Sequence, residues 1–404
     1  MSAFSKIKLG DAVTFQRGFD ITKVEQTLGE VPIISSSGIS STHNQSRAKG
    51  PGVIIGRKGT LGTVHFVRQD YWPHDTTLWV KDFKNSNPEF ISYFLRTLKL
   101  ENFDTGSSNP TLNRNHLHKI GVVFPKEPAT QRKIAAILAV YDDLIETNKR
   151  RITLLEKMAA ETYREWFVRM RFPGYRDSIL VKGVPKGWEA TQFGQIANIT
   201  MGQSPKSEFY NNSGQGLPFH QGVGTYGDRF PRKVTFCTAN GRKAKKGSIL
   251  FSVRAPVGRL NIADCEVIIG RGIAAIRHKE GKNSYLYYLL KTIFANEDII
   301  GNGSIFNSVG KDELARFAIL THPNALIARF EEFARPIDQQ IETLIHSNSV
   351  LTETRDLLLP RLISGKLSVA DLDIQFPPSM REGDEEAERK ALDSTSESGQ
   401  VHRL

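Results

Sequence analysis

Short apolar runs bounded by glycine and basic residues set the pattern of this chain. VIIGRKGTLGTVHF (53–66) predicts two short strands joined by a glycine-rich turn, and ILFSVRAPVGRLNI (249–262) repeats it. Val53, Ile54, Ile55, Leu61, Gly62, Val64 and Phe66 lie 196 residues before Ile249, Leu250, Phe251, Val257, Gly258, Leu260 and Ile262, and Lys58 lies opposite Arg254. The offset holds for SYFLRTL (92–98) over YLLKTIF (288–294). GSSNPTLNRNHLHKIGVVF (106–124) corresponds in type to GNGSIFNSVGKDELARFAIL (301–320): a polar loop, a short helix and a closing strand. LGDAVTFQRG (9–18) resembles FGQIANITMG (193–202) at an offset of 184, so the first copy carries a longer insertion after it. VPIISSSGIS (31–40) likewise resembles LPFHQGVGTY (217–226). Each copy reads as a β-rich α+β globule.

A helical period follows each globule, with Pro128 and Pro323 near the starts. Ile134, Leu138, Tyr141, Ile145, Asn148, Ile152, Leu155, Ala159, Thr162 and Trp166 alternate by four and three residues. Adding 196 gives Phe330, Ala334, Ile337, Ile341, Leu344, Asn348, Leu351, Arg355, Leu358 and Leu362. Two such seams predict coiled-coil packing. Asn148 and Asn348 fall at different seam positions, an arrangement expected to disfavour alternative pairings, with a solvated helix end as the plainer explanation. The expected organisation is a globule (1–127), a central helix (128–170), a second globule (171–322), a distal helix (323–370) and a disordered acidic tail (371–404). If the helices run antiparallel, they form a ruler, about 55 Å for roughly 38 residues, with a globule near each end.

Charge indicates what such a pair would hold. The chain has 54 Lys and Arg against 43 Asp and Glu, a net +11, while residues 377–404 alone carry four basic and seven acidic residues. The folded body is therefore the more basic part, which favours a polyanion, nucleic acid before membrane. No apolar run approaches a membrane span, the N-terminus lacks a signal-peptide pattern, and Cys237 and Cys265 form neither metal spacing nor a disulfide framework; a cytoplasmic protein is expected.

Catalytic readings find little support. There is no G-x-x-x-x-G-K-[ST] loop for ATP. Gly222–Gly227 formally matches G-x-G-x-x-G, but DRFPRK follows where an apolar helix should begin. Asn109-Pro110 lacks the second proline and aromatic residue expected where a methyltransferase holds a flipped adenine. Asp142, Asp143 and Glu146 fall on a face expected to be solvated, and His43, His65, His74, His116 and His118 show no zinc spacing. The chain is expected to be non-catalytic on its own, with no metal or cofactor.

The duplicated hairpins, GRGIAAIR (270–277), GNGSIFNSV, the paired helices and RDLLLPRLISGKL (355–367) together resemble the specificity subunit of type I restriction–modification systems. The resemblance covers residues 1–370 and implies two target recognition domains in tandem, separated by two long antiparallel helices. It further implies that each domain reads one half of a bipartite double-stranded DNA site and that the helices set the spacer. Two modification subunits, binding S-adenosylmethionine, would dock on the helices, and restriction subunits, using ATP and Mg2+, would join the full complex. Departures from the pattern include TQRKIAAI and IARFEEFA at the helix starts, where the family commonly has EQ. Alternatives are the recognition module of another DNA methylation or restriction enzyme, or a coiled-coil adaptor without a DNA role.

Candidate DNA contacts are Arg57 and Lys58 in the first hairpin turn and Arg254 in the second, with core hairpins bearing solvated charges as the competing reading. The polar loops add Ser107, Ser108, Asn109 and Asn113, and Asn302, Ser304, Asn307 and Ser308, for which helix capping competes. Ser35-Ser36-Ser37 and His220-Gln221 occupy equivalent, weaker places. On the central helix, Ile137, Leu144, Leu154 and Met158 add apolar surface beside the seam, the expected flank for a modification subunit; a broader intramolecular interface is the alternative.

Overall fold

The computed structural model describes residues 4–103, 111–295, 299–300, 304–305 and 308–381. The chain forms two compact units, Met1–Lys149 with His346–Leu404, and Arg150–Ile345. The central helix Pro128–Tyr163 and the distal helix Asn324–Ile363 each contribute residues to both units.

The two units share one plan. In unit 1, Phe4–Lys8 pairs antiparallel with Gly121–Pro125. A four-stranded antiparallel sheet runs in the order Thr14–Arg17, Thr77–Asp82, Gly52–Gly56, Val64–Val67. Unit 2 pairs Glu189–Gln192 with Ala318–Thr321 and builds a sheet in the order Ala197–Met201, Ile273–His278, Ile249–Ser252, Leu260–Ile262. A parallel pairing recurs as well: Val31–Ser35 with Trp72–Pro73, and Leu217–His220 with Val267–Ile269.

The unbroken apolar runs of the hairpin strands follow from burial on both faces. Successive side chains of a strand point to opposite sides. Val53 and Ile55 enter a core with Phe90 and Phe94 of helix Pro88–Arg96, whereas Ile54 packs with Ile34 and Tyr71. Ile249 and Phe251 likewise join Tyr285 and Tyr288 of helix Asn283–Ile293, while Leu250 meets Val267 and Ile269. Both hairpin turns close on a glycine with positive φ, Gly62 (+73°) and Gly258 (+90°). A Cβ there would lie 2.5 Å from Glu101 N and 2.6 Å from Phe294 Cδ1 respectively, so the position excludes other residues on two grounds.

The helices pair antiparallel in each unit. In unit 1, Ile134, Leu138 and Ile145 are buried, Leu362 is buried in the same core as Ile134 and Leu138, and Leu351 is half-buried. Asp142 pairs with Arg355 and Asn148 with Asn348, so residues ascending on one helix meet residues descending on the other. In unit 2, Ile337, Ile341 and Leu344 are buried, and Ile152 and Leu155 pack partly buried against the core; Trp166 meets Phe330 with centroids 6.0 Å apart.

Two sequence expectations need correction here. Asp142 is not on a solvated face: it accepts from Tyr93 Oη at 2.6 Å and pairs with Arg355, because helix Pro88–Arg96 and the distal helix both converge on it. Nor is the tail free from residue 371 onward. Phe376 lies 4.3 Å beneath the Arg132 guanidinium, Met380 is buried, and Arg68 Nη1 donates to Ser379 O at 2.9 Å. The apolar Ile374, Phe376 and Met380 carry this segment onto the core of unit 1.

Candidate nucleic-acid interface

At one end of each sheet, four segments meet: the ends of strands Thr14–Arg17 and Val31–Ser35, the hairpin turn, and the residues leading into Thr77–Asp82. Backbone hydrogen bonds hold them. Gly18 N–H donates to Thr77 O (3.1 Å), Phe19 N–H to Pro73 O (2.8 Å), and His74 N–H to Ile34 O (2.9 Å). Arg57 N–H donates to Thr76 O (2.8 Å), and Leu112 N–H to Arg57 O (3.1 Å). Unit 2 repeats all five bonds at equivalent positions. Gly202 donates to Ile273 O (2.9 Å), Gln203 to Ile269 O (3.0 Å) and Gly270 to His220 O (2.8 Å). Val253 donates to Gly272 O (3.0 Å) and Val309 to Val253 O (2.9 Å).

The side chains on this shared frame differ. Unit 1 presents Arg17, Ser35, Lys58, His74, Asp75 and Thr76; the equivalent residues of unit 2 are Met201, Gln221, Arg254, Gly270, Arg271 and Gly272. In unit 1, Arg17 pairs with Asp75 at 3.0 Å, and His74 Nδ1 lies 3.1 Å from both Asp75 Oδ1 and Thr76 Oγ1. Asp20 approaches His74 and Asp75, with side-chain ligand atoms of the three within 4.8 Å of one another. Thr63 Oγ1 donates to Ser36 O at 2.6 Å, tying the hairpin turn to the strand end. In unit 2, Gln221, Gly222, Val223, Arg254, Ala255 and Gly272 line a hollow of about 170 Å³. Arg254 and Arg271 stand exposed, with no side-chain hydrogen bond or ion pair to the described residues.

Of the residues singled out in the sequence, Arg57, Lys58 and Arg254 arrive at these junctions. The amides of Arg57 and Lys58 both donate to Thr76 O, so at these two residues the turn offers side chains rather than backbone donors. Arg57 is half-buried and its pKa is lowered by that burial and by Arg17, with Asp75 opposing; Lys58 is exposed. Asn113 is a helix cap, accepting from Asn115 N–H at 2.9 Å at the start of Arg114–Lys119. Ser107, Ser108, Asn109, Asn302 and Asn307 lie outside the described residues, and Ser304 is described only as backbone, opposite Ile300. His74, Asp75 and Arg271 were not among the candidates. The signal was present, since the 196-residue offset lays HDTT (74–77) over GRGI (270–273).

The histidines near the frames are structural. His118 Nε2 accepts from Phe15 N–H at 2.9 Å, and His65 Nε2 lies 3.1 Å from Ser36 O. His220 is fully buried, 2.9 Å from Thr225 Oγ1, and burial lowers its pKa to about 4.

Each frame falls inside a stretch that matches a known family. Residues 1–157 and 185–321 both match the model of the type I restriction modification DNA specificity domain. The chain belongs to this family. A Methanocaldococcus jannaschii protein assigned as the type I restriction enzyme MjaX specificity subunit is 29% identical over 292 residues, covering 70% of this chain and 68% of its own length. The MjaIX specificity subunit of the same organism is 26% identical over 306 residues, 70% of each chain. Among solved structures, the type I restriction-modification system S subunit of M. genitalium shares the fold, with a TM-score of 0.62 at 15% identity over 92% of this chain and 97% of its own. The two specificity-domain matches of this chain thus coincide with its two frames, each followed by a long helix.

Proposed function

We propose that this specificity subunit selects DNA for a type I restriction–modification complex by reading a bipartite sequence, one half per domain, with the paired helices setting the spacer. The observation that carries the reading is the twin frame: five equivalent backbone bonds holding unlike side chains in one chain. Sequence discrimination comes from side chains that meet base edges, so a fixed scaffold with exchanged polar groups suits two different half-sequences. Lys58, Arg254 and Arg271 are exposed cations at the junctions, placed to engage phosphates or bases, whereas the exposed Arg17 pairs with Asp75.

In this reading the chain contributes no catalysis. S-adenosylmethionine, ATP and Mg2+ belong to modification and restriction subunits. Docking of two modification subunits uses apolar side chains left exposed on the helices: Leu144, Leu154 and Met158 on the central helix, and Val350 and Leu357 on the distal one. Ile137 is not part of this surface, because it packs against the core of unit 1.

The test is DNA binding by the chain with its modification subunit across a salt series. Phosphate contacts release counterions, so affinity should fall steeply with salt, and Lys58→Ala with Arg254→Ala should reduce the logarithmic slope by about one per lost contact. Salt-independent binding, or none, contradicts the reading.

A further inference from the structure

The second frame contains a hydrogen-bond relay with no counterpart in the first among the described residues. Arg271 N–H donates to Ser204 Oγ at 3.2 Å, and Ser204 Oγ donates in turn to Gln221 Oε1 at 2.8 Å. Ser204 Oγ accepts from the backbone and keeps its own proton, which it donates to Gln221 Oε1. In this arrangement the Gln221 amide holds Oε1 towards Ser204 and leaves the NH₂ group available. Oε1 keeps a second lone pair.

The space for this side chain has been cleared. A Cβ on Gly270 would lie 2.6 Å from Gln221 Oε1 and 2.9 Å from its Cα, and a Cβ on Gly272 would lie 2.7 Å from Gln221 O. In the first frame the bulk is exchanged: the small Ser35 stands where Gln221 stands, and His74 and Thr76 replace the two glycines. The backbone spacing is the same in both, so the exchange changes which polar group is presented. Gln221 is exposed at the rim of the hollow it shares with Arg254, where a base edge can reach it.

We infer that Gln221 reads an adenine in the half-sequence bound by the second domain, and that Ser204 is its positioning residue. A side-chain amide matches adenine in the major groove by accepting from N6–H and donating to N7, the two groups that the relay leaves on Gln221. Arg254 and Arg271 flank it and supply cations for the neighbouring phosphates or guanine edges.

The inference rests on the specificity-subunit reading, and one experiment separates the two. The chain is reconstituted with its modification subunit and S-adenosylmethionine, and its preferred sequence is determined from a randomised duplex pool. Gln221→Glu removes the amide donors and leaves acceptors. It should lower the preference for adenine at one position of one half by on the order of 10- to 100-fold, leaving the other half and the spacer unchanged. Ser204→Ala should weaken the preference at that same position several-fold, with the melting temperature and complex assembly unaltered. If Gln221→Glu leaves every position unchanged, or weakens all sequences equally, Gln221 is not a base reader. If the wild-type complex shows no two-part preference at all, the specificity-subunit reading falls with it.

Discussion

Asn148 Nδ2 donates to Asn348 Oδ1 at 2.9 Å across the helix pair of unit 1. The sequence placed these amides at different positions of their own seams, yet an antiparallel register brings them face to face, and Asn348 Nδ2 also reaches Ile145 O at 3.4 Å. Asn148 is only 9% exposed, so it is no solvated helix end. Asn148→Ala leaves the half-buried Asn348 amide without this partner and should cost about 1 kcal/mol. Replacing both asparagines by leucine should cost less than the single change, at the expense of a defined register. Urea unfolding of the single and double variants measures the coupling; additive effects would show that the pair does not act as one.

Arg229 should be the most sensitive single cation of unit 2. Its side chain is 1% exposed, lies 3.2 Å from Glu156 and pairs with Asp338, so it joins its own domain to both helices. Burial opposes its charge, but Asp338, Tyr287, Tyr288 and Glu156 hold its pKa above the usual value. Arg229→Met leaves two carboxylates without their partner and should destabilise unit 2 by about 3–5 kcal/mol. Adding Asp338→Asn should recover part of the loss in calorimetry. No recovery would mean that packing against Tyr287, 4.7 Å away, carries the effect instead.

Acid should weaken unit 2 chiefly through two imidazoles buried neutral, His322 and His220, with His278 lowered in the same direction by burial. Burial lowers the pKa of His322 to about 3 and that of His220 to about 4, from an ordinary 6.5. Unfolding restores the ordinary value, so below it the unfolded chain binds more protons than the folded one. Stability is therefore complete above pH 6.5 and declines as pH falls towards 4 and then 3, each histidine adding a slope of about 1.4 kcal/mol per pH unit. His322→Phe should remove that histidine's slope, even though it deprives Tyr285 Oη of the Nδ1 contact at 2.6 Å. Denaturation at a series of pH values reads this directly; an unchanged acid limb would contradict it.

Leu154 and Met158 are 65% and 45% exposed on the central helix, beside a seam that is already filled. Leu154→Glu with Met158→Glu should leave the melting temperature nearly unchanged while abolishing capture of the modification subunit in gel filtration. Undiminished assembly would move the docking surface elsewhere.

The repeat carried most of the fold. Apolar runs at a fixed offset marked the hairpins, and the four-and-three alternation marked the helices, because burial imposes both periods directly on residue type. The site was less legible. Arg57 and Lys58 were visible as charges, but the use of their amides depends on Thr76, which is distant in sequence. For Asn113 the sequence left DNA contact and helix capping side by side, and the folded chain shows the cap. Arg229 read as one of several basic residues in DRFPRK, since only the folded chain brings Glu156 and Asp338 to it. The importance of Gly270 likewise emerges only when Gln221 is seen to fill the space beside it.

The central claim is that two copies of one frame read independently. It is tested most directly by exchanging residues 188–320 for the matching segment of another family member and mapping adenine methylation made by the resulting complex. The account predicts that one half of the recognised sequence is replaced while the other half and the spacer length are retained. A change in both halves, or in the spacer with neither half altered, would contradict it.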